Sequence, residues 1–294
     1  MKKTETINLH VQISNDTLYY IYKYIDTNIN IDELAEHFGI SKFYFHKIFK
    51  EQMGTNIYET IKSIRLQKAS NLLITNQHST ITNIANMCGY SSQTSFIRAF
   101  KSRFNQTPKI WRNGGYKEYS NKIIKNSEFD LVTNHDYSSL KVKIVKTKPM
   151  RVFYIKQKGY KSQKTTNTWQ KIQAWLYTND IQEHLQIGIF HDNPIITPHK
   201  DCFYMAAIAP NDCKNLTNTH LQSFEKSSAL CAAFDVKGKY GEILKFMQYA
   251  YHDWLPKSGF ETTTNPPYVV YNKHHTFEPN AGFDITFYLP IQYV

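Results

Sequence analysis

The apolar positions change period once along the chain. Up to residue 113 they recur at three- and four-residue intervals, as on one face of a helix. From residue 142 they alternate or form short β-branched runs, as in strands. From Asp16, DTLYYIYKYIDTN places Leu18, Ile21, Tyr22 and Ile25 on one helical face. IDELAEHFG predicts a short helix, Gly39 a tight turn, and Ser41 the cap of a longer helix over 42–53. NIYETIKSIRLQKASNLLI, 56–74, is a long amphipathic helix carrying Ile57, Ile61, Ile64, Ala69, Leu72 and Leu73 for packing. Thr107-Pro108 opens a last short turn with Pro at its first helical position.

This pattern is duplicated. IDELAEHFGIS at 31 and ITNIANMCGYS at 81 share Ile31/Ile81, Leu34/Ile84, Ala35/Ala85, Gly39/Gly89 and Ser41/Ser91. IFKEQMG at 48 then matches AFKSRFN at 99, and Gly54 and Asn105 close the two copies with residues that tolerate a left-handed backbone. Helix, glycine turn, helix is the helix-turn-helix arrangement. A second repeat lies downstream. Lys158-Gly159 and Lys237-Gly238 follow MRVFYIKQ and ALCAAFDV, and Trp175-Leu176 and Trp254-Leu255 recur beyond them. Each copy reads strand, helix, strand, strand, and the strands of the two copies either face each other or join into one sheet. The polar stretch between the repeats opens with Gly-Gly and has no sustained period, so it reads as a linker. The predicted organisation is an all-α, homeodomain-like double helix-turn-helix domain over 1–113, a linker over 114–141, and an α+β domain over 142–294.

Helical angles separate the second helix of each pair into two faces. Phe96, Phe100 and Phe104 fall on one side of 93–104, while Thr94, Ser95, Arg98 and Ser102 fall on the other and Gln93 lies in the first turn. Likewise Phe45, Ile48, Phe49 and Met53 form one face of 42–53, and Phe43, His46, Lys47 and Lys50 the outer one. One polar face alone reads as solvated surface. Two copies of the same arrangement point to DNA readout, with Gln and Arg reaching base edges, Lys neutralising phosphate, and Phe or Thr touching thymine methyls. Two such helices about 34 Å apart would enter successive major-groove segments of double-stranded DNA.

Bulk charge adds little. The net charge of +11 suits an acidic partner, yet residues 1–113 hold 14 Lys/Arg against 8 Asp/Glu and residues 142–294 hold 17 against 12, so neither half is singled out. The N-terminus lacks the apolar segment of a signal peptide, and no apolar run approaches the ~18 residues that span a bilayer. A cytoplasmic protein without a membrane partner is expected. Cys88, Cys202, Cys213 and Cys231 show no metal spacing and read as thiols in a reducing compartment. His274-His275 would point to opposite faces of a strand, so no metal or other cofactor is expected.

IANMCGYSSQTSFIRAFKSRFNQTPKIWR, 84–112, resembles the signature of AraC/XylS-family transcription regulators. The resemblance implies base contacts from Phe43, His46 and Lys47 in the first reading helix and from Gln93, Thr94, Ser95 and Arg98 in the second. Phe-His-Lys departs from the Trp, Gln and Arg of the multidrug-regulator branch, so that branch's target sequence is not carried over. Ile97 replaces a polar residue of that branch.

KGKYGEILKFMQYAYHDWLPKSG and PPYVVYNKHHTFEPNAGFDITFYLPI resemble the gyrase-inhibitor-like (GyrI-like) effector-binding domain, and the order of the two domains resembles Rob-like regulators. That implies a small hydrophobic or aromatic effector bound among aromatics, with Tyr154, Trp169, Tyr204, Tyr268, Tyr271 and Glu242 as candidates. Taken singly each aromatic reads as core, and taken together they read as a lined cavity. Family members that bind cationic drugs place a buried Glu one residue after the first Tyr of the Y-x-x-Y strand, where this chain has Val269. Val cannot neutralise a cation. Glu242 also suits the first turn of a helix, where a carboxylate complements the dipole. Two alternatives stay open: a protein-binding module contacting RNA polymerase or gyrase, and a small-molecule hydrolase. For the latter Glu242, Glu225 and Asp235 are the available acids, but no Ser/His/Asp order, Walker loop or GxGxxG is present.

Overall fold

A computed structural model describes residues 2–127, 136–212, 216, 221–239, 241–273 and 282–294. Cys213 and the His274-His275 pair lie outside them, and Cys88, Cys202 and Cys231 are buried free thiols. The chain divides into two units, Met1–Asn113 and Gly114–Val294.

The first unit is helical: α1 (Lys2–Lys23), α2 (Ile31–His37), α3 (Lys42–Met53), α4 (Ile57–Thr75), α5 (Ile81–Met87), α6 (Gln93–Phe104) and the single turn α7 (Pro108–Ile110). Ser41, the expected N-cap, accepts from the Tyr44 amide, and Thr80 and Thr107 cap α5 and α7 by accepting from Asn83 and Ile110. Gly54 and Asn105 end α3 and α6 at φ 70° and 54°. α1 begins well before Asp16, the expected start. Val11 and Ile13 are buried, and Thr17 is accommodated mid-helix by a bond from its hydroxyl to the Ile13 carbonyl.

Each helix pair has its own aromatic core. Phe45 and Phe49 pack with Ile21, Ile25, Leu34 and Ile57 in the first. In the second, Phe96, Phe100 and Phe104 follow one another along α6, and Trp111 closes on Phe104 at 4.6 Å between ring centres. Burial of each such ring stabilises by about 1.5–3 kcal/mol. A side chain and a backbone carbonyl of α4 hold the second pair: the Ser63 hydroxyl accepts from Arg103 at 2.8 Å, and the Ser70 carbonyl accepts from the Trp111 indole at 3.0 Å. Arg65 reaches the other way, donating to the carbonyls of Ile25 at 3.1 Å and Thr27 at 2.7 Å, with Tyr90 beside its guanidinium.

The second unit is a sheet with helices on one face. Its strands are β1 (Val142–Lys146), β2 (Met150–Lys158), β3 (His184–Phe190), β4 (Phe203–Pro210), β5 (Gln222–Lys226), β6 (Leu230–Lys239), β7 (Phe260–Thr262), β8 (Tyr268–Tyr271) and β9 (Gly282–Tyr293). The order is β1-β6-β9-β8-β3-β4-β2-β5, with β7 paired to β9, and every pairing is antiparallel. Each expected strand-helix-strand-strand copy is present: β2, α9 (Ser162–Thr178), β3, β4, and β6, α10 (Glu242–Tyr249), β8, β9. The copies join into one sheet through β3 and β8. The extra strands are exchanged, since β1 pairs with β6 of the second copy and β5 pairs with β2 of the first.

The expected linker contains a helix, and its residues 128–135 lie outside the described ones. Residues 116–125 form α8 (Tyr116–Lys125), an amphipathic helix with Tyr116, Ser120 and Ile124 inward. Tyr116 packs edge-on against His252, and Gln248 donates to Ser120 and Asn121, both at 2.9 Å. Two polar residues of the stretch, Ser120 and Asn121, thus bond to this unit.

The two turn glycines allow a comparison. Gly39 at φ 65° has open space where a Cβ would be, whereas a Cβ at Gly89, φ 74°, would lie 2.5 Å from the Ile25 carbonyl oxygen and 2.8 Å from Arg65. Gly39→Ala should therefore cost only the left-handed penalty of about 1–2 kcal/mol. Gly89→Ala should cost about 1–3 kcal/mol more through overpacking, read from urea midpoints of the two variants. Equal midpoints would contradict the close packing of Arg65 on that turn.

His252 sets a pH dependence. Burial, with Lys117 nearby, pushes its imidazole from 6.5 down to about 3, and burial does the same to His191. The folded protein keeps His252 neutral where the unfolded chain already takes up a proton. This contribution to stability is complete above pH 6.5 and is lost as pH falls towards 3. His252→Phe keeps a ring against Tyr116 and should flatten the fall of the urea midpoint across that window. An unchanged slope would mean that the imidazole does not remain neutral there.

Candidate functional site

The outer faces of α3 and α6 carry the residues expected to meet DNA. Phe43 is 90% exposed, an unusual position for an aromatic, while Phe45 two residues on is fully buried. Lys47 and Lys50 are exposed, and His46 is half-buried with its ring 5.5 Å from that of Tyr58. On α6, Gln93, Thr94, Ser95 and Arg98 are all exposed. Among the described residues, none of Lys47, Lys50 and Arg98 has an ion pair, whereas Lys42 is held by Asp32 at 2.7 Å. Two helices at equivalent places in a duplicated unit thus present uncompensated cations beside hydrogen-bonding groups.

Two of these side chains have a local task as well. The Gln93 amide oxygen accepts from Thr82 at 2.9 Å, pinning one end of the amide to α5. The Ser95 hydroxyl donates to the Ser92 carbonyl at 2.9 Å, and the Ser95 amide donates to the Ser92 hydroxyl. Ser95 is therefore part of the cap that starts the helix.

The six candidate ligand residues do not form one cavity. Strand alternation divides them. Trp169, Tyr204 and Tyr271 lie on the face covered by the helices: the Trp169 indole donates to the Tyr204 hydroxyl at 3.3 Å, and that hydroxyl is 3.2 Å from the Tyr271 hydroxyl. Gly188 leaves the room this requires, since a Cβ there would meet the Tyr204 hydroxyl at 2.9 Å. Burial holds the Tyr204 phenol up to about 12 and raises Tyr271 well above its usual value, so both stay neutral donors.

Tyr154 and Tyr268 belong to the opposite face, with Val152, Ile187, Ile189, Met205, Ala207 and Cys231, and with Phe224, Val270 and Tyr288 partly exposed around them. Tyr268 and Tyr288 are cross-strand partners and stack at 4.8 Å and 7°. Lys226 places its ammonium 4.2 Å above the Tyr268 ring. Neither Tyr288 nor Lys226 was among the candidates. Alternation relative to Tyr268 could have found Tyr288, but nothing local marks Lys226. Val269 lies on the helix-covered face, 3.0 Å from where a Gly188 Cβ would be, so its identity does not set the charge of the face that holds Tyr268.

Glu242 stands apart from both aromatic groups. Its carboxylate accepts from the Lys239 amide at 2.7 Å and fills the space over Gly238. It closes the turn into α10. Among the described residues no group of three or more His, Cys, Asp or Glu could hold a metal ion, and no helix is long and apolar enough to cross a membrane.

Comparison with known proteins divides the chain at the same place. Residues 34–114 match the family model of a helix-turn-helix domain, and residues 140–292 match that of the GyrI-like small molecule binding domain. The xylose operon regulatory protein of Escherichia coli K12 is 36% identical over 96 residues, 33% of this chain and 24% of that protein. The probable transcription factor PqrA of Proteus vulgaris is 37% identical over 105 residues, 35% of this chain and 85% of that protein. The regulatory protein SoxS of Escherichia coli K12 is 34% identical over 104 residues, 35% of this chain and 96% of that protein. The chain thus spans about a quarter of the length of the xylose regulators it matches.

The hydrogen-bonded trio has a structural consequence. Tyr204→Phe would leave the Trp169 indole and the Tyr271 hydroxyl facing a buried apolar ring. It should cost about 1–3 kcal/mol, measured by urea denaturation, whereas Tyr288→Phe on the partly exposed face should fall within about 0.5 kcal/mol of the parent. A neutral Tyr204→Phe would show that water reaches these groups.

Proposed function

We propose the function from one premise: the chain belongs over residues 140–292 to the GyrI-like small molecule binding family and carries an AraC-type helix-turn-helix domain ahead of it. It is a transcription regulator. The double helix-turn-helix unit binds duplex DNA in a sequence-dependent way, and the C-terminal unit binds a small molecule that adjusts this activity. The observation that supports DNA binding most is the matched pair of outer faces on α3 and α6, where Lys47, Lys50 and Arg98 have no ion pair among the described residues and Phe43 is almost fully exposed.

The residue types divide the work. Arg98 has the donor fork for a guanine edge, and Gln93, held at one end by Thr82, offers its amide near the tip of α6. Thr94 and Phe43 carry the apolar surface that a thymine methyl requires. Lys47 and Lys50 neutralise phosphates, and His46, braced by Tyr58, contributes a donor from the middle of α3. Ser95 holds the helix start in place for its neighbours.

Two substitutions test this with fluorescence anisotropy on a duplex selected from a random pool by the full-length protein. Arg98→Ala should cost about 1–3 kcal/mol and relax preference at one base position. Lys50→Ala should weaken all sequences alike and lower the slope of log affinity against log salt by about 1. Retention of both affinity and base preference by Arg98→Ala would refute the placement of α6 in a groove.

A further inference from the structure

The face opposite the helices presents partly exposed aromatics, Phe224 and Tyr288, over a buried apolar floor. Its carboxylates are already matched. Asp235 is bound by Lys143 at 2.8 Å and by the Thr286 hydroxyl at 2.8 Å, and Asp284 by Lys237 at 2.9 Å and the Asn272 amide at 2.9 Å. One cation of this face, Lys226, is not matched in the same way. Lys226, opposite Met150 on the edge strand β5, has no ion pair among the described residues and rests on the π-face of Tyr268 at 4.2 Å. Lys156, opposite Met205 on the same face, is a second desolvated cation.

An aromatic face with an open side would attract a cationic ligand. Here the chain's own ammonium occupies it. A ligand cation would have to displace Lys226 from Tyr268 and then sit beside the displaced charge. An anion meets the opposite situation, because it offers the ammonium a better partner than a ring quadrupole. We infer that this face takes an aromatic carboxylate, with its ring against Tyr288 and Phe224 and its carboxylate paired with the Lys226 ammonium. This rests on the effector-binding reading above and fixes the charge class of the effector. Burial lowers both Lys226 and Lys156, the latter to about 8. A desolvated ammonium gains more from an incoming anion than a hydrated one.

The test is isothermal titration calorimetry of the full-length protein with three probes of one ring system: naphthoate, naphthylmethanol and naphthylmethylammonium. The parent should bind naphthoate at least tenfold more tightly than the ammonium probe. Lys226→Met should lose about tenfold in naphthoate affinity while keeping naphthylmethanol, and Lys226→Glu should reverse the charge preference. Lys171→Met removes an exposed lysine of α9, on the other side of the sheet, and should leave naphthoate binding unchanged. Binding of all three probes without charge preference, or a Lys226→Met variant that keeps full naphthoate affinity, would overturn the assignment yet leave a small-molecule site in place. If the parent bound none of the three, both the assignment and the effector-binding reading would fall.

Discussion

Arg65 lies in the middle of α4 and gives up water to reach two backbone carbonyls just beyond α1. Burial lowers its pKa, the sign of a cation held at a desolvation cost. Three contacts offset that cost: the Ile25 carbonyl, the Thr27 carbonyl and the face of Tyr90. Ile25 and Thr27 belong to the first helix-turn-helix assembly, and Tyr90 begins the turn of the second. A single guanidinium therefore fixes the rotation of one reader relative to the other. The backbone conforms to it, since Gly89 supplies both the positive φ and the missing Cβ that let Arg65 pass. The Arg103–Ser63 and Trp111–Ser70 bonds secure α6 to the same helix. α4 is thus a spacer whose polar groups, together with its buried apolar stripe, tie the two helix pairs to one another.

The second unit depends on a different constraint, the strict alternation of side chains in a sheet shared by two copies. β8 is the element in which both consequences meet. It pairs with β3 of the first copy and β9 of the second, and its four residues serve both faces: Tyr268 beneath Lys226, Tyr271 beside Tyr204 and Trp169. The helix-covered face is closed by rings and neutral hydrogen bonds. The other face keeps partly exposed aromatics and charged side chains. Exchange of β1 and β5 makes the unit indivisible, because neither copy retains its own edge strand.

Much of this was legible from residue order. The duplicated glycine turns, the buried Phe45/Phe49 and Phe96/Phe100 faces and the two strand-helix-strand-strand copies all rest on short-range periodicity, which a single sequence displays. The losses share one cause: they depend on a partner distant in sequence. The inward residues of α8, Tyr116, Ser120 and Ile124, have helical spacing, yet two of the three are polar or amphipathic and the run opens with Gly-Gly. Only Gln248 and His252 explain why they are buried. The exchange of β1 and β5 involves five-residue strands whose pairing partners cannot be read locally. The aromatics grouped as one cavity were divided by the parity of their positions, since Tyr154 and Tyr268 fall in register with one face and Tyr204 and Tyr271 with the other. Glu242 was legible as a residue of the first helical turn, and its carboxylate does close that turn.

Charge shows most clearly why location matters more than count. The positive excess is spread over both halves of the chain and by itself selects no partner. Two kinds of lysine and arginine account for the difference. On α3 and α6, Lys47, Lys50 and Arg98 are exposed and, among the described residues, without ion pairs, the condition in which cations can exchange water and counterions for phosphate at little cost. On the sheet, burial lowers the pKa of both Lys226 and Lys156, and each lies over a ring, Tyr268 and Phe203. Such cations contribute little to long-range attraction but strongly to the choice among ligands that reach them, because the surrounding medium screens less. In the function proposed above, the same residue type thus serves two recognition problems in one chain. A polyanion would be met by cations that remain in water, and a small molecule by cations that have already left it.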